Sequence, residues 1–172
     1  MEATETITNN LPQVHQESNK ALVKKITQEE ITEVIRNLPN NKSPGIDGLS
    51  YEFYKLTEET IVPVLEKLFN RILDLGILPS SWCKNLIILI PKKSEELYNL
   101  NNWRPISLVN CDAKIFMKII ANRLNTVCNE IISDHQQGFI ANRSITDTAL
   151  DIITTMRNQK DSSKQHWMLF VD

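Results

Sequence analysis

The sequence is short of several things at once. Of its 172 residues only 4 are glycine and 3 are cysteine. The thiols, Cys83, Cys111 and Cys128, are far apart and odd in number, and no Cys-x-x-Cys or Cys/His spacing suggests zinc. A disulfide framework is therefore excluded, and the pattern reads as reduced, mostly buried thiols in an intracellular protein. No apolar run approaches the roughly 20 residues that span a bilayer, so no membrane partner is expected. The N-terminus is polar and acidic, and no signal peptide is expected there. A basic run long enough for a nuclear address is missing as well. Nor is there an excess of one charge: 19 basic and 21 acidic side chains leave a net −2, which points to no particular partner.

What is present is a sizeable apolar fraction, 41%, enough for the core of one domain. The charge is unevenly spread. Residues 82–123 carry 7 basic against 3 acidic side chains, while the flanking segments are acidic. Such a block is either a phosphate-facing surface or a solvated face. Residues 1–25 lack clear periodicity and read as a disordered lead-in. Structure then begins abruptly. Thr27 and Glu30 have capping-box spacing, and Ile26 and Ile31 stand where a hydrophobic staple needs them. Ile31, Val34, Ile35 and Leu38 continue as a one-sided stripe that Pro39 ends. A turn-rich loop, "NNKSPGIDGLS", leads to a short helix over 51–56 and a longer one over 58–75, with Pro63 in its first turns and Gly76 at its C-terminal cap.

"NLIILIP", residues 85–91, is short, continuously apolar and closed by proline, and predicts a buried strand with "NWRPISL", 102–108, as its partner. Asp112 is placed to cap a helix over 113–125, and a second helical piece can reach Ile132. Ser144 and Asp147 suggest a second capping box, before a helix over 145–157 that buries Leu150, Ile153 and Met156. The chain closes on an apolar strand, "HWMLFVD". Long helices with few strands make the fold class α+β.

The candidate chemistry is sparse, and each piece has two readings. Lys92 and Lys93 follow a strand end that can hold phosphates or simply keep it soluble. Arg104 sits between Trp103 and Pro105, where a buried guanidinium needs a carboxylate or a ligand anion. Gly138 is a turn glycine or a point of close backbone approach. Arg143, just ahead of a helix start, is a surface arginine or a phosphate contact. Asp47 is a ligand or, more simply, part of an Asp-Gly turn. Asp172, a carboxylate held at the end of an apolar strand, suits a divalent metal or is a chance chain end.

In order, "ITQEEITEVIRNLPNNKSPGIDGLSYEFYK", "LPSSW", "LIILIPKK", "NWRPISLVNCDAKIFMKIIANRL", "HQQGF", "NRSITD" and "LFVD" closely resemble the reverse transcriptase of non-LTR (LINE-type) retrotransposons, from Ile26 to Asp172. The resemblance implies the fingers and first palm strand of a right-hand polymerase fold over 26–172. It implies synthesis of DNA on an RNA template from a DNA primer and dNTPs, with Mg²⁺ as cofactor. By motif, Lys92 and Arg104 would contact the incoming triphosphate, and Gly138, Phe139 and Arg143 would belong to the segment along the template. Asp172 would be the first catalytic, metal-binding aspartate, and the "KSPGIDG" loop resembles the extension in front of the fingers. The sequence departs from the family after "GF", where Ile140 and Ala141 replace the basic residue often found there. The "Tyr-x-Asp-Asp" hairpin and thumb are expected beyond residue 172, so this chain alone is expected to be inactive. An RNA-binding module without catalysis and a helical interaction protein are the competing readings.

Overall fold

The computed structural model describes residues 11–92 and 97–159. Two compact units emerge, Lys20–Arg123 and a second made from Met1–Asn19 with Leu124–Asp172. The described elements, in chain order, are helices α1 (Gln16–Leu22), α2 (Gln28–Arg36), α3 (Tyr51–Leu56) and α4 (Glu58–Leu75), strands β1 (Leu86–Pro91) and β2 (Trp103–Leu108), then helices α5 (Cys111–Ile131) and α6 (Ile145–Gln159). The mixture of helices with one small antiparallel sheet bears out the α+β class.

Local chemistry decides where α2 begins. The Thr27 hydroxyl accepts from the Glu30 amide at 3.4 Å, and the Glu30 carboxylate accepts from the Thr27 amide at 3.1 Å. This reciprocal box satisfies two amides that the first turn would otherwise leave unpaired, worth about 1 kcal/mol for the cap alone. Ile26 and Ile31 are both buried beside it, as the staple requires. At the other end of the helical run, Gly76 closes α4 with φ of 66° and donates to the Ile72 carbonyl at 2.8 Å. Only glycine takes that left-handed conformation without cost. Pro63 is the sixth residue of α4, beyond the free first turn, and the helix runs through it.

The core of the Lys20–Arg123 unit is built around Phe69, Trp82 and Phe116. Their ring centroids are 6.2 Å apart for Phe69–Trp82, 5.3 Å for Phe69–Phe116 and 5.5 Å for Trp82–Phe116. The Trp82 indole N–H donates to Asp112 Oδ2 at 2.8 Å, so its polar edge is satisfied. Ile31, Ile35, Ile72, Ile115 and Ile119 fill in around the rings.

Two further contacts lock loops onto this core. A Cβ added to Gly45 would lie 2.1 Å from Asn110 Oδ1, 2.5 Å from Asn110 N and 2.6 Å from Asn110 Cα. The "KSPGIDG" loop thus lies directly against the β2–α5 junction, at a distance only glycine allows. Asn110 is buried, and its Oδ1 has no hydrogen-bond partner among the described residues. Arg123 is the second lock. Its guanidinium donates to Glu30 Oε1 at 2.8 Å and Oε2 at 2.7 Å, and to the carbonyls of Leu22, Lys24 and Lys25.

Several expectations need correction. β1 and β2 form, paired antiparallel with Leu86 opposite Leu108 and Pro91 opposite Trp103, but β1 is exposed along its whole length. The hydrophobic core draws no side chain from either strand. Continuous apolarity marked a strand correctly, whereas burial needs a covering element, and none of the described ones supplies it. The same reason leaves Leu150, Ile153 and Met156 of α6 exposed. Asp112 does not cap α5, which starts at Cys111; its carboxylate instead accepts from the Ala113 amide and from Trp82. Ser144 does cap α6, by accepting from the Thr146 amide at 3.3 Å rather than through a box with Asp147. The lead-in is helical over Gln16–Leu22, and Cys83 is exposed rather than buried. The final apolar strand lies outside the described residues.

Gly45→Ala is expected to cost about 1–3 kcal/mol or more, because backbone atoms of Asn110 must move to admit the methyl group. Urea unfolding measures it, with the exposed Ser43→Ala as a control near zero. Arg123→Met is expected to cost about 1.5–3 kcal/mol at neutral pH. The hydrogen bond from Arg123 is the main cause holding the Glu30 carboxyl below its ordinary range. Folded Glu30 therefore binds a proton less readily than unfolded Glu30. Its stabilisation is present above the unfolded carboxylate range and lost as pH falls through the lowered folded value. The stability gap between wild type and Arg123→Met should accordingly narrow towards acid in unfolding curves recorded across that range.

Candidate nucleic-acid interface

The two-stranded ribbon positions Lys92 and Arg104. The Lys92 amide donates to the Asn102 carbonyl at 2.7 Å, which continues the register past Pro91 and makes Lys92–Asn102 a hydrogen-bonded pair. Antiparallel pairs alternate, so Ile90–Arg104 and Ile88–Ile106 are also hydrogen-bonded pairs. Leu89–Pro105 is then a non-bonded pair, which suits a residue with no N–H. Directly opposed residues share a face and every second residue returns to it. Lys92 and Arg104 consequently stand on one face at the loop end of the ribbon, as diagonal neighbours.

Their immediate surroundings differ. Lys92 Nζ donates to the Asn101 carbonyl at 2.7 Å, which holds the ammonium against the turn. Arg104 is exposed and makes no hydrogen bond or ion pair among the described residues. The premise that it is buried and must be neutralised fails, since the strand it stands on is open to solvent. Lys93 lies outside the described residues.

Other cations of the basic block are engaged elsewhere. Arg123 is spent internally on Glu30 and three carbonyls. Lys114 stands over the Tyr51 ring, 5.7 Å from its centroid. With Lys118, Val34, Leu38 and Pro39 it lines a groove of about 430 Å³ between α2 and α5. The block is therefore partly structural, and its charge excess overstates the positive surface.

The segment after α5 is organised by Arg143. Its guanidinium, with the side chain only 11% exposed, donates to the carbonyls of Ile132, Ser133 and Gln136, and reaches Asp134 Oδ1 at 3.5 Å. These acceptors are carbonyls just beyond the C-terminus of α5, where partial negative charge collects and cations are favoured. Arg143 thus folds the "SDHQQGF" turn back on itself rather than presenting its charge outward. The turn displays Phe139, fully exposed and with φ of 64°. A bulky residue in the left-handed region is strained and persists only where its surroundings hold it. Gly138 beside it is open: an added Cβ would meet only Gln136 Nε2, at 3.6 Å.

In the second loop, Asp47 Oδ1 accepts from the Leu49 amide at 3.1 Å and Gly48 has φ of 74°, which bears out the Asp-Gly turn. Burial, followed by the charges of Asp112 and Asp47, pushes the Tyr54 hydroxyl well above its ordinary value. Among the described residues no group of three or more His, Cys, Asp or Glu is arranged to hold a metal ion. Asp172 lies outside them. No described helix is long and apolar enough to cross a membrane.

Sequence reasoning missed Arg123 and Asn110. Arg123 had a signal: it falls four residues after Ile119 and eight after Ile115, on the buried stripe of α5. An arginine on a core stripe needs acceptors. Asn110 had none, because its importance comes from Gly45, remote in sequence.

Comparison with known proteins now bears on these residues. The model of the reverse transcriptase (RNA-dependent DNA polymerase) family matches residues 90–172, starting inside β1. The chain is 36% identical over 85% of its length to the transposon TX1 uncharacterized 149 kDa protein of Xenopus laevis, spanning 11% of that protein. It is 32% identical over 87% of its length to a probable RNA-directed DNA polymerase from transposon BS of Drosophila melanogaster, spanning 17% of it. Over 66% of its length it is 34% identical to the RNA-directed DNA polymerase from mobile element jockey of the same species, spanning 13%. The chain thus spans under a fifth of each of these relatives. Over residues 90–172 it matches the reverse transcriptase family, and the motifs it carries in order are those of the non-LTR retrotransposon branch.

Proposed function

We propose that residues 26–172 are the N-terminal extension, the fingers and the start of the palm of a right-hand RNA-directed DNA polymerase. The observation that carries this reading is the shared face of Lys92 and Arg104 at the loop end of the β1–β2 ribbon. Two cations on a rigid ribbon suit a triphosphate, with the planar guanidinium able to bind its oxygens in a forked, bidentate way and the ammonium acting as a point charge. Arg104, with no partner among the described residues, is available to an incoming dNTP. Lys92 would exchange its carbonyl for a phosphate oxygen.

Phe139 supports the template half of the reading. An exposed ring held by a strained backbone is a platform on which an RNA base stacks, and the open space at Gly138 lets a template backbone pass close by. Arg143 then acts by holding the turn in shape rather than by binding phosphate itself. In the complete polymerase Asp172 would be one ligand of Mg²⁺, which when bound would supply charge stabilisation for nucleotidyl transfer.

Fluorescence anisotropy with a labelled single-stranded RNA tests the template assignment. Phe139→Ala should weaken binding by about 1–3 kcal/mol, the worth of one base–aromatic stack. Unchanged affinity would sink the assignment. Lys92→Ala and Arg104→Ala should have smaller effects on RNA alone. RNA binding lost in those two variants would instead favour an RNA-binding module without catalysis, with the ribbon as its contact surface. In primer extension, a polypeptide of these 172 residues should yield no template-dependent DNA. A product of defined length would overturn the division of labour proposed here.

A further inference from the structure

The most unusual surface outside the site is the outer edge of β1. Its five leading residues are all apolar and all exposed: Leu86 45%, Ile87 62%, Ile88 36%, Leu89 54% and Ile90 44%. The pairing derived above fixes which backbone groups are free. Ile88 and Ile90 use theirs on β2, whereas Ile87 and Leu89 point their N–H and C=O groups away from it. Neither residue makes an outward hydrogen bond among the described residues. A long apolar strand edge of this kind is a template for pairing with another strand. The opposite edge of the ribbon is different, because Pro105 occupies the middle outward-facing position of β2 and has no N–H to offer.

We propose that this chain forms a two-fold symmetric dimer in which β1 of one copy pairs antiparallel with β1 of a second copy. The occupant is specified by self-complementarity. With the axis at Ile88, Ile87 pairs with Leu89 of the second copy and Leu89 with Ile87, so every outward N–H and C=O of β1's apolar stretch is used. Leu86 then faces Ile90 and Ile88 faces Ile88, placing apolar side chains opposite apolar ones on both faces. Shifting the axis to Leu89 sets Ile87 against Pro91, which cannot donate; shifting it to Ile87 leaves Leu89 beyond the partner strand. The assembly closes at two copies, because the outer edges of the resulting four-stranded sheet are the β2 edges blunted by Pro105. Lys84 and Lys92 meet at both ends of the pairing, so association strengthens as salt screens them. This is opposite to the salt dependence of RNA binding.

Light scattering coupled to size exclusion, on the full chain at increasing concentration, should show a monomer–dimer equilibrium that shifts to dimer with added salt. Leu89→Pro removes an outward N–H while leaving the β1–β2 hydrogen bonds intact, and should raise the dissociation constant about tenfold or more. Because that variant can lose its fold, a second measurement stands beside it. In a Cys83→Ser, Cys128→Ser background, Ile88→Cys should form a disulfide dimer under mild oxidation, since a non-bonded antiparallel pair brings Cα atoms to about 4.5 Å. Ile90→Cys in the same background, facing Leu86 rather than itself, should not. A chain that stays monomeric, a dimer that a folded Leu89→Pro variant leaves intact, or equal crosslinking at residues 88 and 90 would each overturn the proposal.

Discussion

The guanidinium of Arg123 is the constraint on which the rest of the larger unit hangs. A nearly buried cation must find acceptors, and here they come from one carboxylate and from the carbonyls of Leu22, Lys24 and Lys25. Those carbonyls belong to the segment that joins α1 to α2. Glu30, which receives the guanidinium, also receives the Thr27 amide that starts α2. One residue on α5 therefore fixes the entry of the chain into its first core helix. The capping box and the staple of Ile26 and Ile31 are set locally, and Arg123 ties the helix start they define to α5.

What could be read from the sequence divides by range of interaction. The Thr27–Glu30 box, the helix stop at Gly76 and the Asp47 turn are set by residues within a few positions of one another, and all were legible. β1 and α6 were legible as elements and illegible as environments. Leu86–Ile90 and Leu150, Ile153 and Met156 carry the patterns of buried faces, but pattern alone does not say whether a covering element is at hand. Arg143 shows a subtler failure. Its position ahead of a helix start suggested an anion, whereas its side chain turned back to carbonyls at the end of the preceding helix. The candidate site was legible by resemblance; the common face of Lys92 and Arg104 needed the register.

Gly45 and Asn110 show how a loop without regular structure is held. The contact between them is too close for any side chain at residue 45, and among the described residues the carbonyl oxygen of the Asn110 side chain accepts nothing in return. Position is specified there by shape, where the Arg123 lock uses charge. The two devices act on opposite ends of α5's core-facing half.

Pro105 carries no reactive group, yet it governs which side of the ribbon is chemical. A slip of one residue between β1 and β2 would demand an amide hydrogen that proline lacks, and would also turn Arg104 to the face away from Lys92. The missing hydrogen thus excludes every odd slip, the ones that would turn the arginine away. In "WRPIS" the proline is the residue that tells the arginine where to look.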